Sequence, residues 1–328
     1  IIVNEINWTA TARHADIVLP IAAAQERRDF GAGQSDNILV PMPQCTLPVG
    51  EARLEYDIFA DLAGRMGTRE AFTEGRDAEG WLSHLWAETQ AAAKAHDVSL
   101  PDWETFMAGE PVELRDPTPD QVFLAEFRAD PEANPRPTPS GRIELFSETV
   151  AGFGLPDCPG HAHWNQMRDR ASGAAARFPL ALLSGQPGTR LHSQLDNGAL
   201  SLAHKIGGRE PVLINPEDAA ARGIEEGDLV ELWNDRGRTL AGARVTDEIM
   251  QGVVFLWTGA WYDPDFEAPD HRDRHGNPNV LTHDERTSAF SQSPAAHSAM
   301  VELRKFPGDP GHVQAHDPPP FVIRRQST

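Results

Sequence analysis

The chain has 328 residues, 40% of them hydrophobic, and its 49 acidic against 29 basic residues give a formal charge of −20. That length suits about two domains, no run reaches the ~18 consecutive apolar residues a membrane-spanning helix needs, and an acidic excess with scattered Lys and Arg argues against a duplex-binding surface. Cys45 and Cys158 are the only cysteines, too few by themselves for a zinc cage or an iron–sulfur set.

The chain opens on Ile1 within a hydrophobic run, IIVNEINW, so it is expected to be the carboxy-terminal part of a longer one. Residues 1–7 and 16–20 read as strands joined by the helix-prone WTATARHA, a β-α-β opening. Residues 25–50 mix glycine, proline and charge and read as loop. In 51–66, Leu54, Ile58, Phe59, Leu62 and Met66 share one helical face. A second helix is predicted over 78–95. Prolines recur through 101–139 and exclude long helices, and SGRIELFSE at 140–148 reads as a short strand. From Phe178 onward FPLALLSG, PVLINP, DLVELWN, RTLAGARVT and GVVFLWTG are short strands at even spacing, interrupted by a helix over 217–222 behind Asn215-Pro216. Such spacing predicts a barrel.

Three constellations are weak on inspection. His192, Ser193 and Asp196 lie in one polar loop, whereas hydrolytic triads are assembled from distant segments. His271, His275 and His283 sit in a hydrophilic stretch without the helical i, i+4 pairing of zinc enzymes, and read as a solvated loop. Gly31 and Gly33 lack the following helix of a dinucleotide fingerprint. More telling are the loops 185–197, 275–284 and 287–298, rich in Gln, Asn, Ser, Thr, Arg and His. They could hydrogen-bond a large polar ligand from several sides.

At these residues the sequence resembles the dimethyl sulfoxide reductase family of molybdenum oxidoreductases. WTATARHADIVLP, GEARLEYDIFADLA and PSGRIELFSE carry the resemblance in the first half; LLSGQPGTRLHSQLDN, INPEDAAARGIEEGDLVELWNDRG, GNPNVLT and TSAFSQSPAAHSAMVEL carry it in the second. RLHSQ and GNPNVLT most resemble the S- and N-oxide reductase branch. The resemblance implies an α/β segment, residues 1–155, belonging to a dinucleotide-binding domain. It is followed by a linker at 156–177, a six-stranded double-psi β-barrel at 178–306, and an extended or disordered tail at 307–328.

It also implies molybdenum bis(molybdopterin guanine dinucleotide) as cofactor, oxygen-atom transfer from a small S- or N-oxide as reaction, and an electron-donor protein or reductant as partner. The metal's protein ligand and other catalytic groups are expected outside this chain, so the isolated chain is expected to be inactive. Asn4 and Glu5 would contact the nucleotide end of one cofactor, with Asp57 as a second carboxylate for guanine and Arg27 as its partner or a phosphate ligand. Ser184, Gln186, Arg190, His192, Ser193 and Gln194 would embrace pterin and pyrophosphate, Arg190 supplying charge. Asn277, Asn279, Gln292 and Ser293 would complete the pterin contacts. Arg286 stands where relatives usually have Gly before Thr-Ser. The rival readings are a non-catalytic barrel module that has lost the cofactor, and a bis-MGD enzyme for another substrate such as formate or nitrate.

Overall fold

The computed structural model describes residues 1–33, 36–114 and 122–323. The remaining parts of the segments read as loop, proline-rich stretch and tail (34–35, 115–121 and 324–328) lie outside the described residues. The chain divides into two compact units, Ile1–Asn134 and Pro135–Thr328.

The first unit opens as the alternation of apolar residues suggests. Strand β1 (Ile2–Glu5) runs parallel to β2 (Ile17–Pro20), with Asn4 opposite Leu19. They are joined through α1 (Ala10–Arg13), whose N-cap hydroxyl on Thr9 accepts from the Ala12 amide. Residues 25–50, read as loop, instead contain the hairpin β3 (Asp29–Ala32) and β4 (Ile38–Met42), extended by β5 (Val112–Glu113). Pro41 is tolerated because β5 pairs only with Ile38 and Leu39, leaving that side of β4 an edge at the proline.

Helices α2 (Glu55–Arg65), α3 (Arg69–Thr73), α4 (Ala78–Lys94), α5 (Trp103–Ala108) and α6 (Ala125–Ala129) complete the unit. The core stacks Trp86 on Phe106 at 3.9 Å between ring centres, with Leu39 and Met107 beside them. The Trp86 indole keeps its hydrogen bond by donating to the Pro101 carbonyl at 3.0 Å.

The face expected to be buried on α2 is only partly so: Leu54 and Ile58 are half-buried. Phe59, Leu62 and Met66 are 43%, 49% and 70% exposed, while Ala60 and Ala63 are buried. Tyr56 stacks on Phe72 of α3 and Arg69 donates to the Ala60 carbonyl. The contact between α2 and α3 is thus made by an aromatic pair and a side chain bound to the helix backbone.

In the second unit no strand forms at residues 140–148. Thr138 donates to the Arg142 carbonyl at 2.6 Å, the Ser140 amide donates to Glu144, and Ser147 caps α7 (Glu148–Ala151). Side chains that satisfy the local backbone replace the sheet ladder. Helix α8 (Arg168–Ala171) follows. The segment expected to be a linker packs on the barrel: Asp169 accepts from the Met300 amide and from Arg236, and Asp157 accepts from the Ala289 amide.

The barrel is closed and six-stranded. Its strands are β6 (Leu180–Leu183), β7 (Pro211–Ile214), β8 (Leu229–Trp233), β9 (Arg238–Val245), β10 (Val253–Leu256) and β11 (Met300–Lys305), in the order β10-β6-β11-β8-β9-β7. Pairing is mixed: β6 with β10 and β7 with β9 are parallel, and the other neighbours are antiparallel. Leu182, Val212, Ile214, Val230, Leu232 and Val254 fill the interior. On β8 the alternation puts Glu231 opposite to the core face, yet it too is buried, beneath Arg304 at 2.7 Å and Arg272 at 3.4 Å. Helix α9 (Ala199–His204) follows β6, and α10 (Pro216–Ala220) starts at Asn215-Pro216 as predicted, with the Asn215 side chain accepting from the Glu217 amide.

Candidate functional site

The loop between β6 and α9 carries most of the expected ligand-binding residues. Gln186 and His192 grip each other twice: the His192 amide donates to Gln186 Oε1 at 2.9 Å, and Gln186 Nε2 donates to His192 Nδ1 at 2.7 Å. The first bond fixes the amide orientation, so Nδ1 accepts and the imidazole proton sits on Nε2. His192 and Leu195 adopt positive φ, +51° and +56°. Each costs roughly 1–3 kcal/mol for a non-glycine residue and persists only where surroundings hold it.

One restraint is Gly259, at φ +91°, where a Cβ would lie 1.9 Å from the His192 carbonyl oxygen. Another is Trp261, whose indole donates to the Ser193 carbonyl at 2.7 Å. The side chains of Gln186, His192, Ser193 and Gln194 face solvent. Ser184 Oγ and Thr189 Oγ1 are buried with no hydrogen-bond partner among the described residues, and the Ser184 amide donates to His297 Nδ1 at 3.4 Å.

Arg190 departs from expectation. Its guanidinium is fully buried, donating to Glu210 at 3.1 Å, to Ser201 at 3.0 Å and to the Thr258 carbonyl at 2.9 Å, and it lies 3.5 Å from Asp196. Lys205 bridges the same two carboxylates at 2.9 Å each. Two cations and two anions thus form a balanced cluster, and Arg190 is turned inward to build the loop rather than outward to meet a phosphate.

Asp196 also accepts from the Trp261 amide at 3.2 Å and from His316 Nε2 at 2.9 Å. Burial alone would raise its pKa, but the His316 hydrogen bond and the Lys205 charge outweigh it and hold the carboxyl below the ordinary range.

His271, His275 and His283 do not behave as one solvated loop. His271 is exposed, His283 pairs with Asp169 at 2.9 Å, and His275 is fully buried. His275 Nδ1 donates to the Trp261 carbonyl at 2.8 Å, and Nε2 has no partner among the described residues. Burial, reinforced by Lys205, pushes this imidazole down to about 3, so it is neutral. Asp196, His275 and His316 offer ligand atoms within 4.8 Å of one another. Lys205 and Arg190 already balance the carboxylate there, which disfavours an added cation.

Asp273 builds the next loop. Its Oδ2 accepts from the amides of His275, Gly276 and Asn277 at 3.2, 2.8 and 2.7 Å and from the Thr239 hydroxyl at 2.6 Å. Asn277 in turn caps the 3-10 turn Pro278–Leu281, its side chain accepting from the Asn279 amide at 2.9 Å, while Asn279 is exposed. Gln292 and Ser293 are exposed on a loop closed by the Thr287 amide to the Ser293 carbonyl at 2.8 Å. Arg286 does not have positive φ, so a non-glycine residue at this position carries no backbone strain. Among the described residues no hydrogen bond joins Asn277, Asn279, Gln292 or Ser293 to Gln186–Gln194.

In the first unit Asn4 donates to Glu55 at 3.3 Å, while Glu5 is engaged by the Ile6 amide at 2.8 Å and the Thr9 hydroxyl at 3.3 Å. Arg27 pairs with Asp29. Arg27 and Glu55 line one cleft of about 290 Å³ with Tyr56 and Trp81, and Asp57 is not on its wall. Two residues along a helix is a rotation of ~200°, which sends Asp57 to the side opposite Glu55. Glu55, on the wall of this cleft, is a carboxylate that the sequence did not single out, and helical periodicity was the available signal.

Residues 180–300 match the molydopterin dinucleotide binding domain, and residues 1–65 match the molybdopterin oxidoreductase family. The barrel with its polar loops is thus a cofactor-binding domain of the molybdopterin class. The chain is 41% identical over 324 residues to the dimethyl sulfoxide/trimethylamine N-oxide reductase of Cereibacter sphaeroides, covering 97% of this chain and 39% of that protein. It is 43% identical over 315 residues to the trimethylamine-N-oxide reductase of Haemophilus influenzae (94% and 38%), and 44% over 316 to the biotin sulfoxide reductase of Cereibacter sphaeroides (95% and 41%). Among solved structures, acetylene hydratase from Pelobacter acetylenicus shares the fold, with a TM-score of 0.68 at 20% identity over 93% of this chain and 40% of that one. Over most of its length this chain is thus similar to the S- and N-oxide reductases among the molybdopterin oxidoreductases. It spans about two fifths of the length of the curated relatives it matches.

Proposed function

We propose that the chain forms part of the cofactor pocket of a molybdenum-dependent S- or N-oxide reductase, with bis(molybdopterin guanine dinucleotide) as the cofactor. The loop 184–197 carries this reading. It presents four polar side chains on a strained backbone, lies within the segment matching the dinucleotide-binding domain, and belongs to a chain 41–44% identical to reductases of dimethyl sulfoxide, trimethylamine N-oxide and biotin sulfoxide.

The residues suit a ligand rich in carbonyl and phosphate oxygens. Ser184 and Thr189 hold buried hydroxyls without partners among the described residues, and His192 keeps an Nε2 proton to donate. Gln194, Ser193, Asn277, Asn279, Gln292 and Ser293 are the further candidate contacts. In the first unit Asn4 and Glu55 present an amide and a carboxylate together, and the carboxylate can accept the paired N1–H and amino donors of guanine; Arg27 is the neighbouring cation. When bound, the metal supplies the oxygen-atom transfer; this chain's residues bind and orient the cofactor. An electron-donor protein or small reductant would complete the turnover.

The test is metal, pterin and guanine-nucleotide analysis of the whole protein from a molybdenum-replete host, followed by viologen-linked reduction of the three oxides. Molybdenum with pterin and nucleotide in the bis ratio, and oxide-dependent turnover, are expected. A preparation free of metal and pterin would instead establish a non-catalytic module, and turnover of formate or nitrate would reassign the substrate.

A further inference from the structure

Residues 311–316 are pinned against the barrel unit. Residues 307–323 contain no helix or strand, yet Arg209 donates to the Gly311 carbonyl at 3.0 Å, the Gln314 amide donates to Asp263 at 2.8 Å, and Ala315 is fully buried. The anchor is His316. Its Nε2 donates to Asp196 Oδ2 at 2.9 Å, and its ring meets Trp261 and His275 edge to face at 5.2 and 5.0 Å between centres.

Those contacts reach the loop 184–197 directly. Asp196 belongs to it, and one carboxylate oxygen accepts from both His316 and the Trp261 amide. Trp261 in turn holds the Ser193 carbonyl through its indole N–H. His316 therefore reaches the loop directly through Asp196 and indirectly through Trp261. A backbone with positive φ at His192 and Leu195 keeps that conformation only while such partners hold it.

We propose that His316 and Trp261 are positioning residues for the loop 184–197, with the terminal segment acting as a peg that fixes the arrangement of Ser193 and Gln194. The cofactor-facing role of the loop rests on the function proposed above; the mechanical linkage does not.

The experiment is amide hydrogen exchange on the whole protein. The reporters are three loop amides with defined acceptors: His192 to Gln186 Oε1, Gln194 to the Leu191 carbonyl, and Gly198 to the Leu195 carbonyl. Barrel amides such as Leu240 serve as the folding control. In His316→Ala the reporters should exchange roughly tenfold faster with barrel amides unchanged, as expected for local opening. His316→Gln, whose amide nitrogen falls near the position of Nε2, should restore protection. Trp261→Phe keeps the ring and removes the indole donor, so it should loosen the loop while the Gln314 amide stays protected.

Reporters that remain protected in His316→Ala while the tail itself opens would overturn the proposal, as would failure of Gln to rescue where Ala loosens the loop. Should His316→Ala unfold the barrel, Trp261→Phe decides alone: unchanged reporters sink the linkage. Pterin content, measured on the same samples, separates the two readings. A loosened loop with full pterin content counts against the cofactor role and leaves the linkage standing.

Discussion

Arg190 and Glu210 meet at 3.1 Å with neither side chain exposed to solvent. Removing one member of such a pair strands the other charge. Glu210→Ala should therefore destabilise the barrel unit by about 3–5 kcal/mol, measured by denaturant unfolding with a probe in that unit. A loss below 1 kcal/mol would mean that Lys205 and Asp196 re-form a balanced pair without it.

Gly259 is fixed by contact as well as by conformation. Gly259→Ala places a methyl group inside van der Waals distance of the His192 carbonyl and imposes strain at φ +91°. Pterin content should fall severalfold while the barrel's circular dichroism is retained, because the clash displaces the loop and spares the sheet. Normal content would show that the loop accommodates the methyl group elsewhere.

His275 gives a pH signature. Its folded pKa is about 3 against 6.5 when unfolded, so between those values only the unfolded chain takes up this proton. Stability contributed by the neutral form is complete above pH 6.5 and declines as pH falls toward 3, by up to about 1.4 kcal/mol per pH unit. His275→Gln should flatten that part of the stability–pH profile; an unchanged slope across pH 6 to 4 would assign it to other groups.

Glu55 and Asp57 can be separated by substitution. Glu55→Gln should lower guanine-nucleotide retention severalfold, because an amide cannot accept the paired N–H donors of guanine with two oxygens. Asp57→Asn should leave retention near wild type. The reverse ranking would return the assignment to Asp57.

Elements set by local periodicity were legible from sequence. The barrel strands alternate, Asn215-Pro216 marks a helix start, and the opening β-α-β unit follows from its apolar runs. Elements set by non-local partners were not. The β3–β4 hairpin hides behind Pro41, whose permissibility depends on how far β5 extends. On α2 the fully buried residues are Ala60 and Ala63 rather than its largest side chains, which apolar periodicity does not signal.

The candidate site divides the same way. Motif residues such as Gln186 and His192 meet in space, whereas the inward turn of Arg190 and the burial of His275 depend on Glu210, Lys205 and Trp261 arriving from elsewhere in the chain. His316, in a stretch rich in Pro, Gly and His that read as extended or disordered, gave no local signal of its partner Asp196.

The barrel's seam has a consequence for how the chain is made. Its first strand, β6, pairs with its last, β11, through Ala181 with Met300 and Leu180 with Val301, and β11 alone joins β6 to β8. Until Met300 has left the ribosome, two strands each carry a bare ladder of amides and carbonyls able to recruit another chain. The barrel therefore closes only with its last strand, and β6 and β8 each keep one open edge until residues 300–305 are in place.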